Sequence, residues 1–262
     1  MALSSTVQRD VAGELATRIA RDLRPWRIVL FGSRARGTAK PHSDYDLYVE
    51  IANPERTERE TARAVDARIR ELLTDERVTL DLKINTPGTI ERRRDDPGTI
   101  EWDVAREGRL LYADPEAPRV LAPTTRVKES GSEPPQSVHE WLESAERDLR
   151  HCEHLRRTDE DFSPEICWLS HQTCEKHMKA LLVSRWVRPK RTHDLTELLA
   201  AVRAAGCAVV GLEDACELLT KHAIEPRYPK GLDLGPDDAR AAYAAAQRVI
   251  EAVRLELPPS VH

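Results

Sequence analysis

The chain has 262 residues, 40% of them hydrophobic and 32% charged, a balance that excludes disorder throughout and fits a folded globular protein of one or two domains. Lys and Arg total 40 against 45 Asp and Glu, a net charge of −5 that argues against bulk attraction to nucleic acid while leaving room for a local basic patch. The longest apolar run is about that of CAVVGL at 207–212, well short of the roughly 18 to 20 residues a membrane-spanning helix needs. Arg9 and Asp10 stand where a secretory signal would be apolar, and five Cys without a C-x-x-C pair suit a reducing compartment, so a cytoplasmic location is expected.

In chain order, the pattern predicts a helix near 5–22, a strand RIVLF at 27–31, a strand YDLYVEI at 45–51, a helix at 56–73 and a strand VTLDLKI at 78–84. Short β-rich runs alternating with helical stretches make this first domain, 1–112, α/β. The stretch from Ala113 to Ser137 holds five Pro and one Gly with no apolar period, and reads as an extended linker over 113–137. From 138 to 262 nothing alternates with period two. Val138, Trp141, Leu142, Ala145, Leu149, Cys152 and Leu155 form one helical stripe, and further helices are predicted near 164–186, 194–205, 211–222 and 236–256. Turn signals at Pro189, Gly206, Pro226, Pro229 and Gly235 separate them, which predicts an antiparallel all-α bundle.

The chemistry concentrates in VLFGSRARGTAKPHSDYDLYVE. A strand ends in Gly32-Ser33 and the next opens with Asp44-Tyr45-Asp46, whose alternation puts both carboxylates on one face and turns Tyr45, Leu47, Val49 and Ile51 to the core. Two carboxylates so placed suit a hard divalent cation, Mg²⁺ or Mn²⁺. Gly32 lets backbone approach a phosphate and the Ser33 hydroxyl can bond its oxygens. The stretch is not a phosphate-binding P-loop, because Thr38 stands where that motif has Lys. In VTLDLKI, Val78, Leu80, Leu82 and Ile84 face the core and leave Asp81 on the other face with Thr79 and Lys83. If this strand neighbours that of Asp44 and Asp46, the three carboxylates converge as metal ligands and Asp81 can accept the proton of an attacking hydroxyl.

Gly-Ser, ten residues, then Asp-x-Asp and a later strand Asp resembles the minimal nucleotidyltransferase branch of the polymerase-β-like superfamily, over about residues 5–114. DVAREGRLLYAD at 103–114 is similar to that family's closing helix and strand. The resemblance implies a mixed-sheet α/β fold and transfer of a nucleoside monophosphate, most often AMP from ATP, to a hydroxyl or phosphate with release of pyrophosphate. It assigns Gly32 and Ser33 to the β and γ phosphates, Asp44, Asp46 and Asp81 to the metals, and makes Arg34 and Arg36 candidates for stabilising phosphate charge, the bland alternative for the two Arg being a solvated helix face.

Residues 138–257 resemble a HEPN domain, through WLESAERDLRHC, then SHQTCEKHMKALLVSRWVRPKRTHDLTELL, then EPRYPKG before a last helix. The two-domain layout also resembles kanamycin-type aminoglycoside nucleotidyltransferases, which implies a homodimer and an acceptor site completed by the helical domain. Many HEPN domains are ribonucleases with an Arg followed four to six residues later by His, a count Arg188 and His193 satisfy. Pro189 directly after the Arg, and Leu195 where toxin members carry Tyr, depart from that pattern and favour His193 as a capping or packing residue. The second reading is therefore a fused toxin-antitoxin-like or defence protein whose HEPN half cuts RNA under control of the other half. Cys167, His171, Cys174 and His177 share a helix face, but one helix rarely supplies four zinc ligands. Glu175 with Lys176, and Arg227 with Tyr228, are either acceptor-site groups or structural ones. The acceptor itself is not legible: protein, RNA end and small molecule all remain open.

Overall fold

The computed structural model describes residues 10–51, 60, 63, 64, 67, 69, 79–117, 133–224 and 233–261. The chain divides into two compact units, Met1–Asp95 with Thr99–Arg126 and Asp96–Gly98 with Val127–His262.

The first unit opens with α1 (Val11–Leu23), capped by the Asp10 carboxylate on the Gly13 N–H and ended by Arg24 in the left-handed region. Its buried residues Ala12, Leu15, Ala16 and Ile19 follow helical spacing. Then come β1 (Arg27–Phe31), the one-turn α2 (Gly32–Ala35) and β2 (Tyr45–Glu50). Residues 60, 63, 64, 67 and 69 are helical, while the rest of the helix expected over 56–73 lies outside the described residues. β3 (Leu80–Asn85), α3 (Thr89–Arg93), α4 (Ile100–Glu107) and β4 (Arg109–Ala113) complete the unit. The sheet order is β3-β2-β1-β4, with β1 antiparallel to both β2 and β4 and β2 parallel to β3.

Period-two alternation sorts the side chains. Ile28, Leu30, Leu47 and Val49 meet Ala12, Ala16 and Ile19 of α1 on one face, with Leu80, Leu82 and Ile84 partly buried beside them. On the other face Val29, Phe31 and Tyr48 pack with Ile90 of α3 and with Val104 and Ala105 of α4. A polar layer runs through that second face. The Arg27 guanidinium, 0% exposed, donates to Glu50, also 0% exposed, at 2.6 Å and to Glu91 at 2.9 Å. Tyr48 donates its hydroxyl to Glu101 at 2.7 Å and accepts from Asn85 at 3.0 Å. Burial, reinforced by the charge of Glu101, holds the Tyr48 phenol well above its usual pKa, so it remains a donor.

In the second unit, α5 (Ser137–Leu155), α6 (Ser163–Ser184), α7 (Leu195–Ala204), α8 (Glu213–Ile224) and α9 (Pro236–Glu256) form a helical bundle, closed by a 3-10 turn at Pro259–Val261. α6 is the axis: α5, α7, α8 and α9 all pack on it, and it is buried on nearly every side. It stops at Ser184, two residues before the expected end, and Trp186 then takes φ +59° as the chain leaves. Asp96–Gly98 group with this unit: Ser137 donates its N–H and hydroxyl to Asp96, and the Trp141 indole donates to the Gly98 carbonyl at 3.3 Å. His177, fully buried, donates Nδ1–H to the Thr173 carbonyl, and its Nε2 lies 3.4 Å from Glu146 Oε1. The His177 ring, against the opposing effect of burial and with help from Arg254, pulls the Glu146 carboxyl down to about 2.

All five Cys are free and buried; burial raises the Cys167 and Cys216 thiols to about 12. The helix face of Cys167, His171, Cys174 and His177 is packing surface, and among the described residues no group of three or more His, Cys, Asp or Glu is gathered to hold a metal as it stands. Among those residues no helix is long and apolar enough to cross a membrane.

Candidate active site

β1 ends at Phe31, and the chain turns at Gly32, φ +73°, into α2. Phe31 lies opposite Asp46 across the β1–β2 pair, and Asp46 lies opposite Asp81 across the parallel β2–β3 pair. The condition set by the sequence, that the strand of Asp81 neighbours that of Asp46, is met in register. A Cβ on Gly32 would lie 2.1 Å from Asp46 Oδ2 and 2.8 Å from its Cγ. Glycine is thus needed here twice, for the backbone angle and for the room Asp46 occupies.

Asp44 is exposed just before β2, and Asp46 is half-buried two residues on. The Asp81 side chain, 46% exposed, accepts from Lys83 Nζ at 2.9 Å. The two residues share a face of β3 because they are two apart. Asp46 and Asp81 are therefore neighbours, with Asp44 just outside the near end of β2, while the Asp81 carboxylate is engaged by an ammonium group. The donor chemistry fits Mg²⁺ or Mn²⁺: hard carboxylate oxygens on adjacent strands, with nitrogen or sulfur donors absent from these three positions.

The two arginines do different things, and neither is merely a solvated helix face. Arg34 donates from Nε and Nη2 to the Ser43 carbonyl, and from Nε to the Asp44 carbonyl at 3.1 Å. Its guanidinium lies 3.8 Å from the centroid of the Tyr45 ring. It braces the entry to β2 and so the backbone of Asp44. Arg36 donates from Nη1 to Glu107 Oε1 at 2.5 Å, and the same oxygen accepts the Gly32 N–H at 3.1 Å. Ser33 accepts the Thr38 N–H at its carbonyl, closing the turn at 2.9 Å.

Glu107 and Lys83 are the site-lining groups that sequence reasoning does not assign. Alternation places Lys83 on the correct face but gives it no partner. Glu107 lies 71 residues from Arg36, and the last residue of a helix before a strand carries no local signal of such a contact.

In the helical unit, Arg188 follows the end of α6 instead of riding on it, and donates to the Pro97 carbonyl at 2.9 Å. His193, its side chain 69% exposed, donates Nδ1–H to Glu175 Oε2 at 3.0 Å, and its carbonyl accepts from His171 at 2.7 Å. The capping role belongs to Asp194, whose carboxylate accepts the Thr196 and Glu197 N–H groups. Glu175 and Lys176 go to separate partners: Glu175 to Lys179 at 2.6 Å and to His193, Lys176 to Asp148 at 2.5 Å. Burial pushes the Glu175 carboxyl up, but bonds from Lys179 and His193 outweigh it and leave it below its usual value. Arg227 and Tyr228 lie outside the described residues.

Comparison with known proteins separates the two parts of the chain. Residues 13–97 match the family model of the nucleotidyltransferase domain, and residues 138–256 match that of the HEPN domain. Among solved structures, TT1696 from Thermus thermophilus is similar at 25% identity and a TM-score of 0.40, over 46% of this chain and 98% of that one. ST0689, described as an archaeal HEPN homologue, is similar at 23% identity and a TM-score of 0.37, again over 46% of this chain and 98% of its own. No curated protein matches. The chain carries an N-terminal nucleotidyltransferase domain followed by a C-terminal HEPN domain.

Proposed function

We propose that this protein transfers a nucleoside monophosphate, AMP from ATP, to a hydroxyl or phosphate of an acceptor and releases pyrophosphate. The observation that carries the reading is the in-register pairing of Asp46 with Asp81 on parallel strands, beside a glycine whose missing Cβ makes room for Asp46. Asp44, Asp46 and Asp81 would hold Mg²⁺ or Mn²⁺, which when bound neutralises triphosphate charge and aligns an in-line displacement. Asp81 takes the proton of the attacking hydroxyl once Lys83 has released it. Gly32 and Ser33 lie against the β and γ phosphates, Arg36 supplies positive charge there, and Arg34 contributes by fixing the Ser43–Asp44 backbone. The protein works as a homodimer in the cytoplasm, where five buried free thiols need no oxidising environment.

The test is incubation with labelled ATP, CTP, GTP or UTP and Mg²⁺ against protein, RNA and small-molecule pools. Label is expected from ATP, on an acceptor the fractionation identifies. A D44A/D46A variant should stay folded and lose metal-dependent nucleotide binding; unchanged binding refutes the site. Light scattering at micromolar concentration reads the dimer, and a monomer refutes that part.

A second reading, RNA cleavage by the HEPN domain, has one observation in its favour. Glu175 fixes Nδ1–H of an exposed His193, which turns Nε2 outward as a general base requires. Against it, Arg188 is tied to the Pro97 carbonyl in a loop beyond α6. Cleavage of an RNA pool that disappears in H193A would establish it; equal cleavage in both proteins, or none, would remove it.

A further inference from the structure

We infer that Glu107 is an internal anion that engages the phosphate donors of the site and is exchanged out when the triphosphate arrives. The inference rests on the nucleotidyltransferase reading and extends it to a residue that reading does not use. A single carboxylate oxygen, Glu107 Oε1, takes both the Gly32 N–H and the Arg36 guanidinium. An amide and a guanidinium converging on one anionic oxygen is the arrangement a phosphate oxygen seeks. Other N–H groups of the turn are spent within it: Arg36 on Gly32, Gly37 on Arg34 and Thr38 on Ser33. The Gly32 amide is turned outward from the strand to an acceptor brought from α4.

The backbone of Glu107 is firmly held while its side chain is not. Val104 and Ala105 of the same helix are in the core, and Gly108, next in the chain, fits within 2.2 Å of the Val104 carbonyl and 2.7 Å of Val29 as judged by where a Cβ would lie. The Glu107 side chain keeps 21% of its surface exposed and Arg36 keeps 45%, so rotation about its χ angles can carry the carboxylate into solvent without unpacking α4. Asp81 shows the reciprocal pairing with Lys83. Charges on both sides of the site, toward the metal and toward the triphosphate, are thus already countered from within the domain, and binding is an exchange of partners. Were Glu107 instead a brace that holds Arg36 ready, removing its charge would weaken phosphate binding, so the two roles predict opposite signs.

The experiment is calorimetric titration of the full chain with sodium tripolyphosphate in EDTA, which excludes the metal-binding carboxylates from the measurement. E107Q, isosteric and at a partly exposed helix end, should bind about fivefold tighter than the wild type, the scale of a half-exposed charge pair released together with the repulsion it exerts. R36Q should bind more weakly than the wild type. E107D, which keeps the charge but withdraws it by one methylene, should fall between wild type and E107Q and stands in if E107Q misfolds. Equal or weaker binding by E107Q or E107D overturns the inference, as does absence of tripolyphosphate binding to every form. Titration of wild type and D44A/D46A with Mg²⁺ and ATP judges the underlying reading separately: metal-dependent binding that D44A/D46A abolishes, with an unimproved E107Q, removes the role of Glu107 alone.

Discussion

Gly32 and Gly37 offer a controlled comparison, because both sit at φ +73° and only one has a neighbour. Alanine at either position forces an L side chain into the left-handed region, at a cost of about 1–2 kcal/mol. At Gly37 nothing lies within 4 Å of the added Cβ, so that strain is the whole effect. At Gly32 the Cβ would lie 2.1 Å from Asp46 Oδ2, 2.8 Å from Cγ and 3.3 Å from Asp46 Cβ. The carboxylate is the far end of a side chain that can rotate, so the clash is relieved by moving Asp46 and not by unfolding the sheet. Urea midpoints of G32A and G37A should therefore differ by no more than about 1 kcal/mol in stability. Function should diverge: G37A keeps metal-dependent ATP binding and label transfer, whereas displacing Asp46 by about 1 Å or more should lower transfer by about 100-fold in G32A. If G32A transfers label as well as G37A does, Asp46 is not where the chemistry happens.

Three further outcomes follow from the same geometry. D81N should reduce kcat by about 100-fold or more while ATP affinity changes little, since its proposed task is proton acceptance; near-normal turnover in rapid-quench assays would transfer that task elsewhere. R27M leaves Glu50 buried and charged without its guanidinium, so urea unfolding should show a loss of about 3–5 kcal/mol, and a loss below about 1 kcal/mol would mean the pair is dispensable. Glu146 has a folded pKa of about 2 against an ordinary value of 4.5, so its contribution is complete above about pH 4.5 and disappears as pH falls toward 2. With its side chain 35% exposed and screened, that contribution is about 1 kcal/mol, and E146Q should flatten the acid limb of a circular-dichroism stability profile by that much; an unchanged limb refutes the assignment.

What was legible in the sequence was local. RIVLF reads as a strand because five apolar or long side chains run between turn residues, and β1 occupies the same five positions. Alternation places Asp81 on a face, yet alternation says nothing about which strand lies alongside, and the pairing with Asp46 comes only from the fold. The strand of VTLDLKI extends to Asn85, whose side-chain amide bonds Tyr48, a partner 37 residues away. Arg27 with Glu91, and Arg36 with Glu107, are likewise long-range pairs with no period to betray them. The helix start after His193 is legible in a finer reading: Asp194-Leu195-Thr196-Glu197 has the spacing of a capping box, which assigns the cap to Asp194 and frees His193 for Glu175.

The parallel pairing of β2 with β3 makes the two ends of the segment between them unequal as places for variation. Asp46 and Asp81 are each the second residue of their strand, so the chain leaves β2 four residues beyond Asp46, about 13 Å along the strand, and returns only one residue before Asp81. Length can be added on the departing side, after Ile51, at a distance from the reacting groups. On the arriving side the tolerance vanishes: a slip of β3 by one residue would turn Asp81 toward Leu47 and Val49 and set a leucine beside Asp46. Insertion of a short loop after Ile51 should therefore leave the Asp46–Asp81 pairing intact, whereas one residue added at the entry of β3 should break it.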